Sequence, residues 1–189
     1  TRNLIIFGQG AIRCHPYLLK EMQTAQQREA VGFDQALFGH IKLLLSNLAR
    51  GVFHGLSGAR FVKAPVSGEQ AGYYRKLTRM CAVFAVTAEA DLLTLGGTLK
   101  RKESLSARLG DVLSHLYLAS AALKRFADQG QQAADRPLLE WAIRDSLYEA
   151  QQKLFEVYDN LPARWLGRLL KWMLFPYGAS YRAANDALL

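Results

Sequence analysis

Between Lys102 and Gln129 the apolar residues Leu105, Leu109, Val112, Leu116, Ala119, Leu123 and Phe126 recur at steps of three and four. Side chains so spaced stack on one face of a helix, and this stretch is the expected central helix of the molecule. Leu113, Tyr117, Ser120 and Ala121 widen the stripe, so burial against neighbours on more than one side is expected. Arg108, Asp111, His115, Lys124 and Asp128 interrupt what surface is left.

The same period recurs along the rest of the chain. The run Leu4, Ile5, Ile6 and Phe7 completes a helix that ends at Gly8 and Gly10. Pro16 starts a second helix and forces His15 out of helical geometry, and that helix is expected to reach about Glu29. Gly32 separates it from a third, with Asp34 as N-cap, running to about Gly55 with Leu37, Ile41, Leu44, Leu45, Leu48 and Val52 as its apolar face. A polar insert, GLSGARFVKAPVSGEQ, is the longest expected loop. A fourth helix follows to Leu95, its candidate core drawn from Tyr74, Leu77, Cys81, Phe84, Val86, Ala88 and Leu92, and Gly96-Gly97 ends it. After the organising helix and a second loop, Pro137 opens a helix to about Asn160 with Leu138, Trp141, Ile143, Leu147, Ala150, Leu154 and Val157 inward. The last runs from Pro162 to Phe175. No alternating strand pattern persists, so the expected fold is all-α, an antiparallel bundle of about six or seven helices with short connections.

Length and composition narrow the class. With 189 residues, half of them hydrophobic, one well-cored domain is the default. Cys14 and Cys81 lack disulfide or ligand spacing and are expected as buried thiols in a reducing compartment. The longest stretch free of charged residues, Val112 to Leu123, falls short of the ~20 residues a membrane span needs. The net charge of +8 is spread unevenly: seven basic and three acidic groups in residues 1–60, three and five in 136–160, four and one in 161–189. That favours pairing between helix surfaces over the dense basic stripe of a nucleic-acid binder, so no nucleic-acid partner is expected. Thr1 is not an initiator, and the opening residues read as a helix entered partway along, as in a C-terminal or processed piece.

Catalytic and cofactor signatures are approached and missed. Gly8-Gln-Gly10-Ala-Ile-Arg13 lacks the third glycine of a dinucleotide turn, and Gly55-Leu-Ser57-Gly58-Ala59 lacks the final glycine of a nucleophile elbow, which leaves Ser57 as a loop serine. His15, His40, His54 and His115 are scattered without an i, i+4 partner, each expected as a packed or surface histidine, and no metal site is expected. Glu89 and Asp91 stand two apart, which points them to different helix faces and rules them out as a catalytic pair. The cluster Lys100, Arg101, Lys102 at the start of the organising helix opposes the helix dipole and reads as a solvated turn or a partner for Glu103 or an acidic helix.

Three stretches carry a family likeness: TRNLIIFGQGAIRCHPYL with Tyr73-Tyr74-Arg75-Lys76-Leu77, then LGGTLKRKESLSARLGDVLSHLYLASAALKRF, then PLLEWAIRDSLYEAQ. In this order they resemble the bacterial acyl-CoA dehydrogenases of fatty-acid β-oxidation, in the long form with an appended C-terminal helical domain. The resemblance implies an FAD-dependent α,β-dehydrogenation of fatty acyl-CoA, in which a glutamate takes the α-proton and the flavin receives the β-hydride, with an electron-transfer acceptor and a homo-oligomeric assembly. Arg2 matches the last arginine of the family's E-G-x-x-x-x-x-R segment, which places the catalytic glutamate before Thr1, and the flavin contacts precede it as well. No catalytic or FAD-binding residue is therefore assigned in this chain, which alone is expected to be inactive and to bind no FAD. Residues 1–15 would end the dehydrogenase domain and 16–189 would form the appended one, in the cytoplasm. The alternative is a non-catalytic helical module that docks on a partner protein or on the inner surface of the membrane.

One stretch bears on that alternative. In ARWLGRLLKWMLF, Arg164, Arg168 and Lys171 share a stripe, with Trp165, Leu166, Leu169, Leu170, Trp172 and Met173 around the rest of the helix. The expectation is that it caps the bundle, with a membrane or partner surface made of Arg164, Trp165, Arg168, Lys171 and Trp172 as the second reading.

Overall fold

The computed structural model describes residue 10, residues 13–185 and residue 187. The expected first helix lies outside these, apart from its last residue. Six α-helices follow in order: α1 Leu18–Gln27, α2 Ala30–Ser57, α3 Gln70–Leu95, α4 Glu103–Asp128, α5 Arg136–Asn160 and α6 Arg164–Leu174. Among the described residues there is no strand, and the chain is all-α.

The organising helix is α4, and all seven of its stripe positions are buried. Its most extensive packing is on α5, with a smaller contact on α3. Met80, Val83 and Val86 of α3, Val112, Leu116 and Leu123 of α4, and Ile143, Leu147 and Leu154 of α5 form one core, completed by Leu170 and Leu174 of α6. A smaller cluster of Leu95, Leu99, Leu105, Leu109 and Val157 sits at the end of α3, where Gly96–Arg101 forms a 3-10 turn in place of an irregular one. Burial of each such side chain is worth ~1.5–3 kcal/mol, which makes this core the main source of cohesion.

α6 is docked through small residues. A Cβ on Gly167 would stand 2.0 Å from the carbonyl oxygen of Tyr158, and one on Gly55 would stand 2.9 Å from that of Leu174. Backbone meets backbone at both places, and only glycine permits it. Beyond α6, the buried Gln151 amide accepts from the N–H groups of Ser180 (2.7 Å) and Tyr181 (3.0 Å) and donates to the Tyr181 carbonyl (3.0 Å), holding the chain end on α5.

Several expectations are corrected. The break after α1 falls at Arg28, not Gly32. Arg28 is left-handed (φ 55°), and the N–H groups of Arg28 and Glu29 close onto Ala25 and Thr24, so the turn forms without glycine. Gly32 lies buried inside α2, which begins before Asp34. α2 also continues through Gly55 and Ser57, so the loop starts only at Gly58. The buried face of α2 is Gly32, Ala36, His40, Asn47, Gly51 and Gly55, and not the leucine face: Ile41 and Leu45 are exposed, and Leu37, Leu44, Leu48 and Val52 are half-buried. Small residues let α6 and α3 come close, and the large ones turn outward. On α4, Leu113, Tyr117, Ser120 and Ala121 are exposed, because α3 and α5 cover only one side of it. Leu138 is exposed at the start of α5 and Trp141 is half-buried. Cys14 and Cys81 are both exposed; Met80, Val83 and Ala90 take the core places on α3.

Candidate functional site: a buried histidine–glutamate junction and a tryptophan-bearing helix

His15 stands just ahead of α1, where Pro16 holds the chain out of helical geometry. Its Nδ1 accepts the backbone N–H groups of Leu18 (2.9 Å) and Tyr17 (3.2 Å), so the imidazole caps the helix that follows. A nitrogen that accepts carries no proton, so Nε2 bears it and donates to Glu89 Oε1 at 2.7 Å. Glu89 lies in α3 with a side chain only 7% exposed. Its other oxygen, Oε2, accepts from Nε2 of His40 on α2 at 3.0 Å, and Nδ1 of His40 donates to Glu21 Oε1 of α1 at 2.8 Å.

Both His40 nitrogens thus face carboxylates, and the ring is an imidazolium between Glu21 and Glu89. Burial pushes its pKa down, but the hydrogen bonds and charges of Glu89 and Glu21 outweigh burial and raise it above the usual histidine value. Tyr17 stacks on the His40 ring, with centroids 6.5 Å apart and planes 13° from parallel, and the two imidazoles lie 4.5 Å apart. The segment before α1, and α1, α2 and α3, all meet in one ion network.

Ligand atoms of His15, His40 and Glu89 lie within 4.8 Å of one another, a spacing that suits a metal ion. The hydrogen bonds favour protons instead. With Nδ1 of His15 accepting helix N–H groups, its Nε2 is a donor and not a ligand. Of the four histidines that the sequence scatters, His15 and His40 are therefore packed, and they are brought together by helpers no local spacing announces. Glu89 could have been suspected as an acid inside an otherwise apolar helical stretch.

Asp91, two residues on, is fully buried on another face of α3. Neither carboxylate oxygen has a hydrogen-bond partner among the described residues. Burial pushes its pKa up to about 7, so the group is largely a neutral acid at lower pH. Close to it, the Thr87 and Tyr158 hydroxyls bond at 2.8 Å.

The five candidate residues of α6 divide. Gly167, Leu170 and Leu174 face the bundle and make the cap. Trp165 (68% exposed) and Trp172 (71%) take no part in it and point outward, with Arg164 and Arg168 exposed beside them. Lys171 is tied back to α5: its Nζ lies 4.5 Å over the Phe155 ring and 3.5 Å from Asp159 Oδ1. No helix among the described residues is long and apolar enough to cross a membrane.

No solved structure matches the chain. Residues 12–189 match the family model described as acyl-CoA dehydrogenase, C-terminal, bacterial type. That match takes in every helix from α1 to α6 and the whole histidine–glutamate junction. The chain belongs to the bacterial-type acyl-CoA dehydrogenase C-terminal family.

Proposed function

We propose that the chain is the helical C-terminal part of an FAD-dependent dehydrogenase that oxidises fatty acyl-CoA in β-oxidation, with the catalytic glutamate and the flavin contacts on residues before Thr1. The observation that carries this reading is the family match across residues 12–189. FAD would supply the hydride acceptor, and the parent enzyme would hand electrons to a separate acceptor. Among the described residues, the two buried carboxylates of α3 are held elsewhere: Glu89 is committed to two imidazoles and Asp91 is sealed in the core. The boundary between dehydrogenase and appended domains lies near residue 15 in this reading, where His15 clamps the entering chain to α3. The test is flavin titration followed by absorbance. The 189-residue chain is expected to bind no FAD and to turn over no acyl-CoA, whereas the same sequence joined to its dehydrogenase portion does both. Saturable flavin binding or turnover by the chain alone overturns the reading.

A second role is favoured by one observation, the two outward tryptophans of α6. Each large apolar side chain moved out of water is worth ~1.5–3 kcal/mol, and each basic group near an anionic lipid surface adds ~1 kcal/mol. Trp165 and Trp172 with Arg164 and Arg168 would hold the domain on the inner membrane surface, close to long-chain acyl-CoA. The chain is expected to sediment with anionic liposomes at low salt and to be released by Trp165→Ala with Trp172→Ala at unchanged melting temperature. If it stays in the supernatant, α6 is a structural cap only.

A further inference from the structure

The segment after α6 is pinned where it completes a basic cleft. Gln151, fully buried in α5, commits its whole amide to Ser180 and Tyr181, and the Tyr181 hydroxyl reaches the Lys76 carbonyl of α3 at 3.4 Å. A cleft of about 210 Å³ lies where this segment meets α3 and α5. Buried Ile143 and Leu147 form its apolar part, and Lys76, Arg144 and Arg182 line it from three different stretches of the chain.

Charge there is not balanced. Among the described residues Arg144 is paired with Glu140 one turn earlier on α5, the Lys76 ammonium has only the Tyr73 ring, 5.8 Å from its centre, and Arg182 forms no ion pair. Tyr181, which lines the cleft, also carries a cation on its ring: the guanidinium of Arg79 lies 5.7 Å from its centre and 5.3 Å from that of Phe175. Arg79 is 5% exposed, donates to the Leu174 carbonyl at 3.3 Å, and keeps Nε without a partner. It meets no carboxylate among the described residues, and a buried cation without counter-charge is unfavourable. A cleft lined by one sign of charge concentrates the opposite ion.

We infer that this cleft binds the phosphoryl group of a phosphate monoester. Basic groups supplied from three segments suit a tetrahedral dianion, whose three free oxygens accept from several directions. A carboxylate presents two oxygens in one plane and is matched by a single forked arginine. The volume sets how much of the ligand enters. A pocket that swallows a drug-sized ligand takes about 300–1,000 Å³, so here the phosphoryl group goes in and the rest of the molecule stays outside. The same group is carried by soluble phosphomonoesters and by monoester lipid headgroups.

Calorimetric titration of the 189-residue chain with inorganic phosphate at pH 8, where the ion is a dianion, is the test. One saturable site is expected. Lys76→Gln with Arg182→Gln should weaken it at least about tenfold at an unchanged melting temperature, because both side chains are exposed and neither holds an ion pair. Arg60→Gln with Lys63→Gln removes the same charge away from the cleft and should leave binding in place. The source is read on phosphatidylcholine vesicles carrying phosphatidic acid, with the Trp165→Ala, Trp172→Ala variant so that α6 takes no part. If this variant sediments with them and free phosphate releases it, the phosphoryl group is lipid-borne; if it stays in the supernatant while still binding phosphate, the source is soluble, and the site stands in both cases. No saturation by about 10 mM phosphate overturns the proposal, as does a Lys76→Gln, Arg182→Gln variant that binds like the parent or a control variant that loses as much.

Discussion

At pH 8 the Asp91→Asn variant is expected to melt about 10 °C above the parent chain, and at pH 4 the two should agree to within about 2 °C. The difference comes from a proton. In the unfolded chain Asp91 releases it near pH 3.8, and in the core burial holds it until about pH 7. Below pH 3.8 both states are protonated and the residue contributes no pH dependence. Between pH 3.8 and about 7 the unfolded chain sheds the proton while the folded chain keeps it. Stability then falls by ~1.4 kcal/mol for each pH unit, ~4 kcal/mol in all, and the loss is complete above about pH 7. Asparagine is nearly the same size and never ionises, so it removes that loss without opening a cavity. Thermal melts of both proteins across this range check the claim. An equal shift at pH 4 and pH 8, or none at pH 8, would mean that the carboxylate has water or a partner in solution.

Glu89→Gln should act in the opposite direction. The carboxylate accepts one N–H from each of two imidazoles, His15 at 2.7 Å and His40 at 3.0 Å. Glutamine offers one acceptor and one NH₂ group, so a donor is forced against a donor, and the buried His40 keeps a single carboxylate, Glu21. Breaking one partner out of a buried ion network costs ~3–5 kcal/mol, which lowers the melting temperature by about 10 °C in a chain of this length. The loss should be largest below pH 6.5. The pKa of His40 is raised by its carboxylates, so its contribution is fully present below the unfolded value of 6.5 and fades as pH rises through the folded one. Melts at pH 6 and pH 9 read both the size and the slope. A variant that melts within about 2 °C of the parent at pH 6 would show that the junction contributes little.

Element type and core were largely legible in the sequence, and the buried chemistry was not. The seven stripe residues of α4 are all buried, and the α5 positions from Ile143 to Val157 hold as read, because a helical period sustained over six turns admits no other element. The family likeness was carried by long ordered segments. The pairing of His15 with Glu89, 74 residues apart, has no local signature; it exists only once α1 is folded onto α2 and α2 lies against α3.

What the sequence alone determined is that the chain is built of helices and which of them carry an apolar stripe, since both follow from repeats within one segment. Tertiary structure decided which stripe is used. On α2 the largest side chains predict the core face, yet Gly51 and Gly55 are what Leu174 packs against, because close approach of backbones rewards small residues more than a broad apolar row could. On α6, Gly167 did the same at Tyr158 and left both tryptophans outside. Periodicity reports how much apolar surface a helix carries. Which part of it is covered within the chain depends on the depth to which neighbouring helices can approach.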